Sequence, residues 1–323
     1  MNAKPRILVT GASGFVGAAV CEALLARGVE VVAAVRRADG APAGTQAVLV
    51  GELDANTDFR VALDGVNAVV HLAAHTHRGE ADGERAAYQR VNVDATAALA
   101  AQAADAGVAR FVFASSIKVN GERSVRETTG EWQRHAGDAL PRPEGPYGES
   151  KLAAERLLGE HAARGAFELF VLRPPLVYGP GNKANLALLM RGILLGLPWP
   201  LGAVDNLRSL VYRDNLAHAL VLAALKTGPC RGTYTIADCE FSTAELVRAL
   251  AQAMGRRAWV LRCPEALFRV ACLAVRRPGI YQRLAGSLVV DSSAVRAALG
   301  WAPVVATEEA LARTAAWYLG TRR

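Results

Sequence analysis

Short apolar runs alternate with stretches of helical periodicity through the first half of the chain. Ile7–Val9, Val31–Val35, Ala47–Val50, Ala68–Leu72, Phe111–Ala114 and Leu169–Leu172 are nearly continuous in Val, Leu, Ala and Phe, the pattern of strands buried on both faces. Between them, helical apolar spacing predicts helices over Phe15–Arg27, Phe59–Leu63, Ala86–Ala106 and Tyr147–Arg164. Strand and helix in alternation predict right-handed βαβ units, hence an α/β fold with a parallel sheet covered on both faces.

After Arg173 the rhythm changes. Residues 173–206 are rich in Pro and Gly around one apolar helix-like stretch, and Ser242-Thr243-Ala244-Glu245 reads as a capping box opening a helix that runs to about Met254. The remainder reads as mostly helical, joined by short Pro and Gly turns. The expected organisation is therefore a sheet-bearing domain over 1–176, rejoined by segments near 208–236 and 286–295. A smaller lobe over 177–207 and 237–323 would close on the carboxyl edge of the sheet, where open α/β sheets bind ligands.

The glycines define what that edge binds. Gly11, Gly14 and Gly17 follow the first strand and open a helix through Val20 and Leu24. Strand, tight turn and helix N-terminus converge backbone N–H groups and a positive dipole on one point, which suits a pyrophosphate. Gly11 permits the turn, Gly14 lets backbone approach the ligand and Gly17 packs helix on strand. The sheet is expected to be doubly wound and of Rossmann type.

Composition narrows the class. The 323 residues are 52% hydrophobic and 21% charged, globular values that exclude disorder. The net charge of +7 comes from scattered basic residues and fits a small anionic ligand; no nucleic acid partner is expected. No uncharged apolar window reaches about 18 residues, so no integral membrane segment is expected. Surface attachment through Leu186–Val204 or Leu267–Val275 stays open. Met-Asn-Ala-Lys-Pro leads directly into the first strand, so no signal peptide is expected. Cys21, Cys230, Cys239, Cys263 and Cys272 form no Cys-x-x-Cys pair and no metal-ligand cluster, which fits reduced thiols, a cytoplasmic location and no metal.

Tyr147 and Lys151 lie one helical turn apart on one face. A phenol titrates near pH 10 and is a poor base at neutrality, but a neighbouring ammonium stabilises the phenolate. The pair then exchanges a proton with a hydroxyl or carbonyl while hydride moves to or from a nicotinamide. Ser115 and Ser116 place hydroxyls just past the fifth strand, on the edge where the glycine turn opens.

Together these elements resemble the extended short-chain dehydrogenase/reductases, the NAD-dependent epimerase/dehydratase group acting on nucleotide sugars. The resemblance runs through Thr10-Gly11-Ala12-Ser13-Gly14-Phe15-Val16-Gly17, His71-Leu72-Ala73-Ala74, Asn92-Val93, Ser115-Ser116, Tyr147 to Lys151, Arg173-Pro174 and Leu299-Gly300-Trp301. It implies a catalytic triad of Ser116, Tyr147 and Lys151. It also implies cofactor contacts from Gly11, Ser13, Gly14, Phe15, Val16, Gly17, Leu72, Ala73, Ala74, Asn92, Ser115 and Pro174. Glu52-Leu53 resembles the family's adenine-contacting pair. At the end of the second strand Arg36-Arg37 stands where an acidic residue would bind the adenosine 2′-hydroxyl of NAD. Two guanidiniums favour a 2′-phosphate, so NADP(H) is expected over NAD, with Arg stacking on adenine as the competing explanation.

The dehydratase members carry an Asp-Glu pair after the triad serine. Here Ile117 and Lys118 stand there, which disfavours loss of water and leaves 4-epimerisation or 4-keto reduction. On the substrate side the resemblance implies uridine-diphosphate contacts from Asn185, Leu186 and Arg208, and a similar role for Arg283. Ser-Ser-Ile-Lys-Val-Asn-Gly and Arg-Ser-Leu-Val-Tyr look like the bacterial O-antigen subgroup, in which Lys118 and Asn120 line the hexose pocket. The expected activity is reduction of UDP-4-keto-6-deoxy-N-acetylglucosamine at C4. A UDP-glucose or UDP-N-acetylhexosamine 4-epimerase with tightly bound NAD is the alternative, and a non-catalytic NAD(P)-binding regulator the remote one. Family members commonly dimerise through two helices, so a homodimer through Ala86–Ala106 and Tyr147–Arg164 is expected.

Overall fold

The computed structural model describes residues 4–76, 82–182, 185–274 and 278–321. Twelve strands form in chain order: β1 Arg6–Thr10, β2 Glu30–Val35, β3 Gln46–Leu49, β4 Ala68–His71, β5 Arg110–Ala114, β6 Glu168–Arg173, β7 Leu176–Tyr178, β8 Pro198–Trp199, β9 Arg208–Tyr212, β10 Gly232–Thr235, β11 Cys239–Phe241 and β12 Trp259–Val260. The α-helices are α1 Phe15–Leu25, α2 Arg60–Leu63, α3 Asp82–Tyr88, α4 Ala95–Asp105, α5 Pro146–Ala163, α6 Asn185–Leu194, α7 Arg213–Leu225, α8 Thr243–Ala253, α9 Glu265–Ala274, α10 Pro278–Ala285, α11 Ser293–Leu299 and α12 Thr307–Gly320.

Seven strands build one parallel sheet in the order β10-β6-β5-β4-β1-β2-β3. The order reverses between β1 and β4, which opens a crevice at their carboxyl ends. Ile7, Leu8 and Val9 on β1 and Val69 and Val70 on β4 are wholly buried, as central parallel strands require. Each such side chain contributes about 1.5–3 kcal/mol of burial free energy. One face packs on α1, α7 and α11 with Trp301, the other on α2, α4 and α5.

A third core joins Tyr178, Leu210 and Tyr212 to α6, α8 and α12, beside the small sheet β11-β9-β7. The capping box at α8 is present: Ser242 Oγ accepts from Glu245 N–H at 3.1 Å, and Glu245 Oε2 accepts from Ser242 N–H at 2.8 Å. The structure departs from the sequence reading in one helix. Ala86–Ala106 is not one regular α-helix: a π-helical turn over Gln89–Asp94 separates α3 from α4. Two small sheets, β11-β9-β7 and β12-β8, form outside the seven-stranded sheet, and β12 stands in the part after Met254 that was read as mostly helical. No helix among the described residues is long and apolar enough to cross a membrane.

Candidate active site

Two loops and a helix meet at the crevice, and each is tied down by its own chemistry. The first runs from β1 to α1. Gly11 has φ +66°, and a Cβ there would lie 2.7 Å from the backbone nitrogen of Ala73; a Cβ on Gly17 would lie 2.0 Å from the Gly11 carbonyl oxygen. The loop therefore presses against the Leu72-Ala73 backbone after β4, and only glycine allows that approach. Ser13 and Gly14 are exposed, and no side chain caps α1. Its first-turn N–H groups are left without a side-chain cap, and these residues fit the pyrophosphate of a dinucleotide. Phe15 and Val16 are half-buried, with the Arg213 guanidinium 5.7 Å from the Phe15 ring centre.

A buried hydrogen-bond chain fixes this junction. Thr10 Oγ1 accepts from the N–H groups of Leu72 and Ala73 at 3.2 and 3.3 Å and lies 2.6 Å from His71 Nδ1. His71 Nε2 lies 2.9 Å from Thr96 Oγ1, whose hydroxyl donates to the Asn92 carbonyl at 2.8 Å. The proton assignment follows from counting donors. The Thr10 hydroxyl hydrogen goes to Nδ1, so neutral His71 carries its hydrogen on Nε2 and donates to Thr96. Complete burial, with the nearby Lys151 charge second, pushes the His71 pKa down to about 3, so the ring stays neutral.

The second loop follows β5. Ser115 and Ser116 diverge. Ser116 faces a cavity of about 590 Å³, whereas Ser115 is buried and donates to Glu155 Oε1 at 2.5 Å. The Ile117 N–H donates to the Pro174 carbonyl at 3.0 Å, pinning the Ser116 turn to the end of β6.

The third element is α5, which carries Tyr147, Lys151 and Glu155 at successive turns. Tyr147 lines the same cavity as Ser116, its ring 5.9 Å from that of Tyr88. Lys151 is 2% exposed, and its ammonium sits 4.3 Å from the centre of the Phe113 ring. Burial lowers its pKa to about 7, against an opposing pull from the Glu155 charge. Glu155 is clamped by Arg173 at 2.9 and 2.5 Å, and Arg173 also donates to Asn120 Oδ1 at 3.0 Å.

Other expected site residues are placed as follows. Asn92 is buried: its Oδ1 accepts from His75 N–H at 2.7 Å and its Nδ2 donates to Ser150 Oγ at 3.0 Å. Asn120 is buried and spent on Arg173 and the Ala136 carbonyl; it is not among the residues lining the cavity. Lys118 lines the cavity and ion-pairs with Glu122. Leu186, Arg208 and Arg283 line it too, and the Arg208 guanidinium donates to the Arg283 carbonyl. Asn185 opens α6, but its side chain lies outside the described residues. Ala74 follows Ala73 beyond β4, and Leu53 packs into the core beside α2. Arg36 pairs with Glu52 at 3.5 Å and Arg37 with Asp39, all four exposed at the ends of β2 and β3. Sequence reasoning missed Thr76, Tyr88, Trp199 and Thr243 on the cavity wall, and Glu155 beneath it. It also missed Gly148, where a Cβ would lie 2.7 Å from the Lys118 carbonyl oxygen and push Tyr147 away from the Ser116 turn.

The crevice at the switch in strand order and the glycine loop beside it define a Rossmann-like dinucleotide-binding fold. The chain belongs to the NAD-dependent epimerase/dehydratase family, whose pattern matches residues 7–237. It is similar to the UDP-glucose 4-epimerase of Vibrio cholerae, with 37% identity over 319 residues that cover 97% of this chain and 95% of the other. Among solved structures it is similar to MoeE5 in complex with UDP-glucose and NAD, with a TM-score of 0.76, 28% identity and coverage of 98% of this chain and 100% of that one. The Thermus thermophilus UDP-glucose 4-epimerase complexed with NAD gives a TM-score of 0.75 at 26% identity, covering 98% of this chain and 99% of that one.

Proposed function

We propose that the protein carries out redox chemistry at C4 of a UDP-linked hexose or hexosamine, with epimerisation at C4 as the first reading. The observation that carries it is the shared cavity: Ser116 and Tyr147 on one wall, with Arg208 and Arg283 lining the same space. Two guanidiniums suit a diphosphate, and a phenol beside a serine hydroxyl suits a carbinol oxygen. A bound nicotinamide supplies the hydride acceptor and donor. Ser116 holds the C4 oxygen, Tyr147 moves the proton at that oxygen, and Lys151 stabilises the phenolate. The glycine loop and the uncapped end of α1 hold the cofactor's phosphates. Ile117 and Lys118 offer no carboxylic acid for water loss, which argues against dehydration.

Inversion requires the flat 4-keto sugar to present either face. A cavity walled largely by Leu176, Leu186, Leu189, Leu210, Leu246 and Leu288 fixes few hexose hydroxyls and suits that turn. The full-length likeness to a UDP-glucose 4-epimerase supports the same reading. Net reduction of a UDP-4-keto-6-deoxyhexosamine is the second reading, favoured by Arg36-Arg37, which suit the 2′-phosphate of NADPH. Proton NMR of UDP-glucose and UDP-N-acetylglucosamine incubated with the protein tests the pair. Formation of the C4 epimer without added reductant supports the first. Stoichiometric NADPH consumption with the 4-keto sugar, and no epimer, supports the second.

A further inference from the structure

We propose that the surface built from the end of α6, β12 and α9 docks on an anionic lipid surface, independently of the C4 chemistry. β8 pairs with β12, setting Pro198 beside Trp259, and the Leu261 N–H donates to the Trp199 carbonyl at 2.8 Å. Leu195 and Leu197, which follow α6, and Trp259 and Leu261 are exposed large apolar residues of the two segments so joined. The α9 helix is anchored by buried Phe268 in a small core with Leu201, Val204 and Ala244. Anchored that way, it turns Leu267 and Val270, an i, i+3 pair, outward at 60% and 57% exposure. These six are half of the twelve exposed large apolar side chains among the described residues, gathered in two short segments joined through β8 and β12.

Charge identifies the occupant. Arg256, Arg257, Arg262 and Arg269 are all exposed within the same segment, where Glu265 is the one acidic residue and accepts from the Tyr281 hydroxyl. Among the described residues no carboxylate pairs with these four arginines. The Arg257 guanidinium lies 4.6 Å from the centre of the Trp259 ring, joining a cation to an indole that favours the bilayer interface. Apolar side chains interleaved with arginines suit anionic headgroups over acyl chains. A second copy of the chain would bring like charges together. The surface shares no residue with α4 or α5, so packing through those helices leaves it open.

Cosedimentation of the whole protein with vesicles tests this, using phosphatidylcholine alone and phosphatidylcholine with about 30% phosphatidylglycerol at low salt. Binding to the anionic vesicles alone is expected. Leu267→Asp with Val270→Asp, and separately Arg262→Glu with Arg269→Glu, should each weaken it roughly tenfold or more, with added salt weakening the wild type. Thermal unfolding of both variants should match the wild type, because the positions are exposed. Equal binding to both vesicles, no binding to either, or variants that bind like the wild type would overturn the proposal. So would a wild-type dimer in light scattering that the Leu267→Asp, Val270→Asp variant abolishes, since the patch would then belong to a second copy.

Discussion

Glu155 and Arg173 form a two-point ion pair at 2.9 and 2.5 Å, one helical turn beyond Lys151, with side-chain exposures of 7% and 5%. The pair ties α5 to the end of β6, and through Ser115 and Asn120 it reaches the turn that presents Ser116. Glu155 thus acts on the site through its neighbours. Removing one member strands a buried charge. Glu155→Leu alone should cost about 3–5 kcal/mol in denaturant unfolding, whereas Glu155→Leu with Arg173→Met should recover much of that loss.

The two adjacent serines should separate cleanly. Ser116→Ala and Tyr147→Phe should each lower kcat roughly 100-fold to 10,000-fold with little change in stability. Ser115→Ala should do the reverse, costing about 1.5–3 kcal/mol for the lost bond to a carboxylate while kcat stays within a few-fold of wild type. Parallel kinetics and urea titrations on the three variants check this. Equal kinetic damage from Ser115→Ala would contradict the division of roles.

Lys151 links stability to pH in a definite direction. Its pKa is about 7 when folded and 10.5 as its ordinary value, so between those limits the unfolded chain binds more protons. Stability contributed by this residue therefore rises with pH across that window, and the full penalty of a buried ammonium is present below about pH 7. Lys151→Met removes the penalty. The variant should melt above the wild type at pH 6, with the gap closing towards pH 10, even as it loses activity. Calorimetry across that range measures both arms.

His71 should not titrate between pH 5 and 9, because its pKa is pushed down to about 3. Nitrogen-15 NMR should find it in the Nε2–H tautomer set by Thr10 and Thr96. A titration in that range, or the Nδ1–H tautomer, would mean that the Thr10–His71–Thr96 chain is not formed.

Much of this was legible in the sequence, for reasons that differ by element. The central strands were readable because burial on both faces leaves few residue types possible, and β1, β2 and β4 fall within a residue or two of the apolar runs. The glycine loop was readable because Gly11 and Gly17 answer steric demands no other residue meets. The π-helical turn at Gln89–Asp94 was not readable. Its residues carry no breaker, and the widened turn coincides with the bonds of Asn92 to His75 and Ser150, which lie far off in sequence. Resemblance alone set Ser116 apart from Ser115, and the partner of Ser115 was not readable. The buried carboxylate that claims Ser115 lies 40 residues away. The resemblance put Asn120 at the hexose, whereas Arg173 and the Ala136 carbonyl hold its amide.

The central claim is that Tyr147 carries the proton while C4 of a UDP-linked sugar changes oxidation state. The direct test supplies the cofactor-loaded protein with UDP-hexoses and UDP-hexosamines bearing deuterium at C4, and follows the label by mass spectrometry. In acid-quenched single turnovers, label should pass through the nicotinamide of the wild type and return to C4 of the epimer, and its transfer should fall by orders of magnitude with Tyr147→Phe. A C4 epimer formed with no deuterium passing through the nicotinamide, or label transfer as fast without the phenol, would contradict the account.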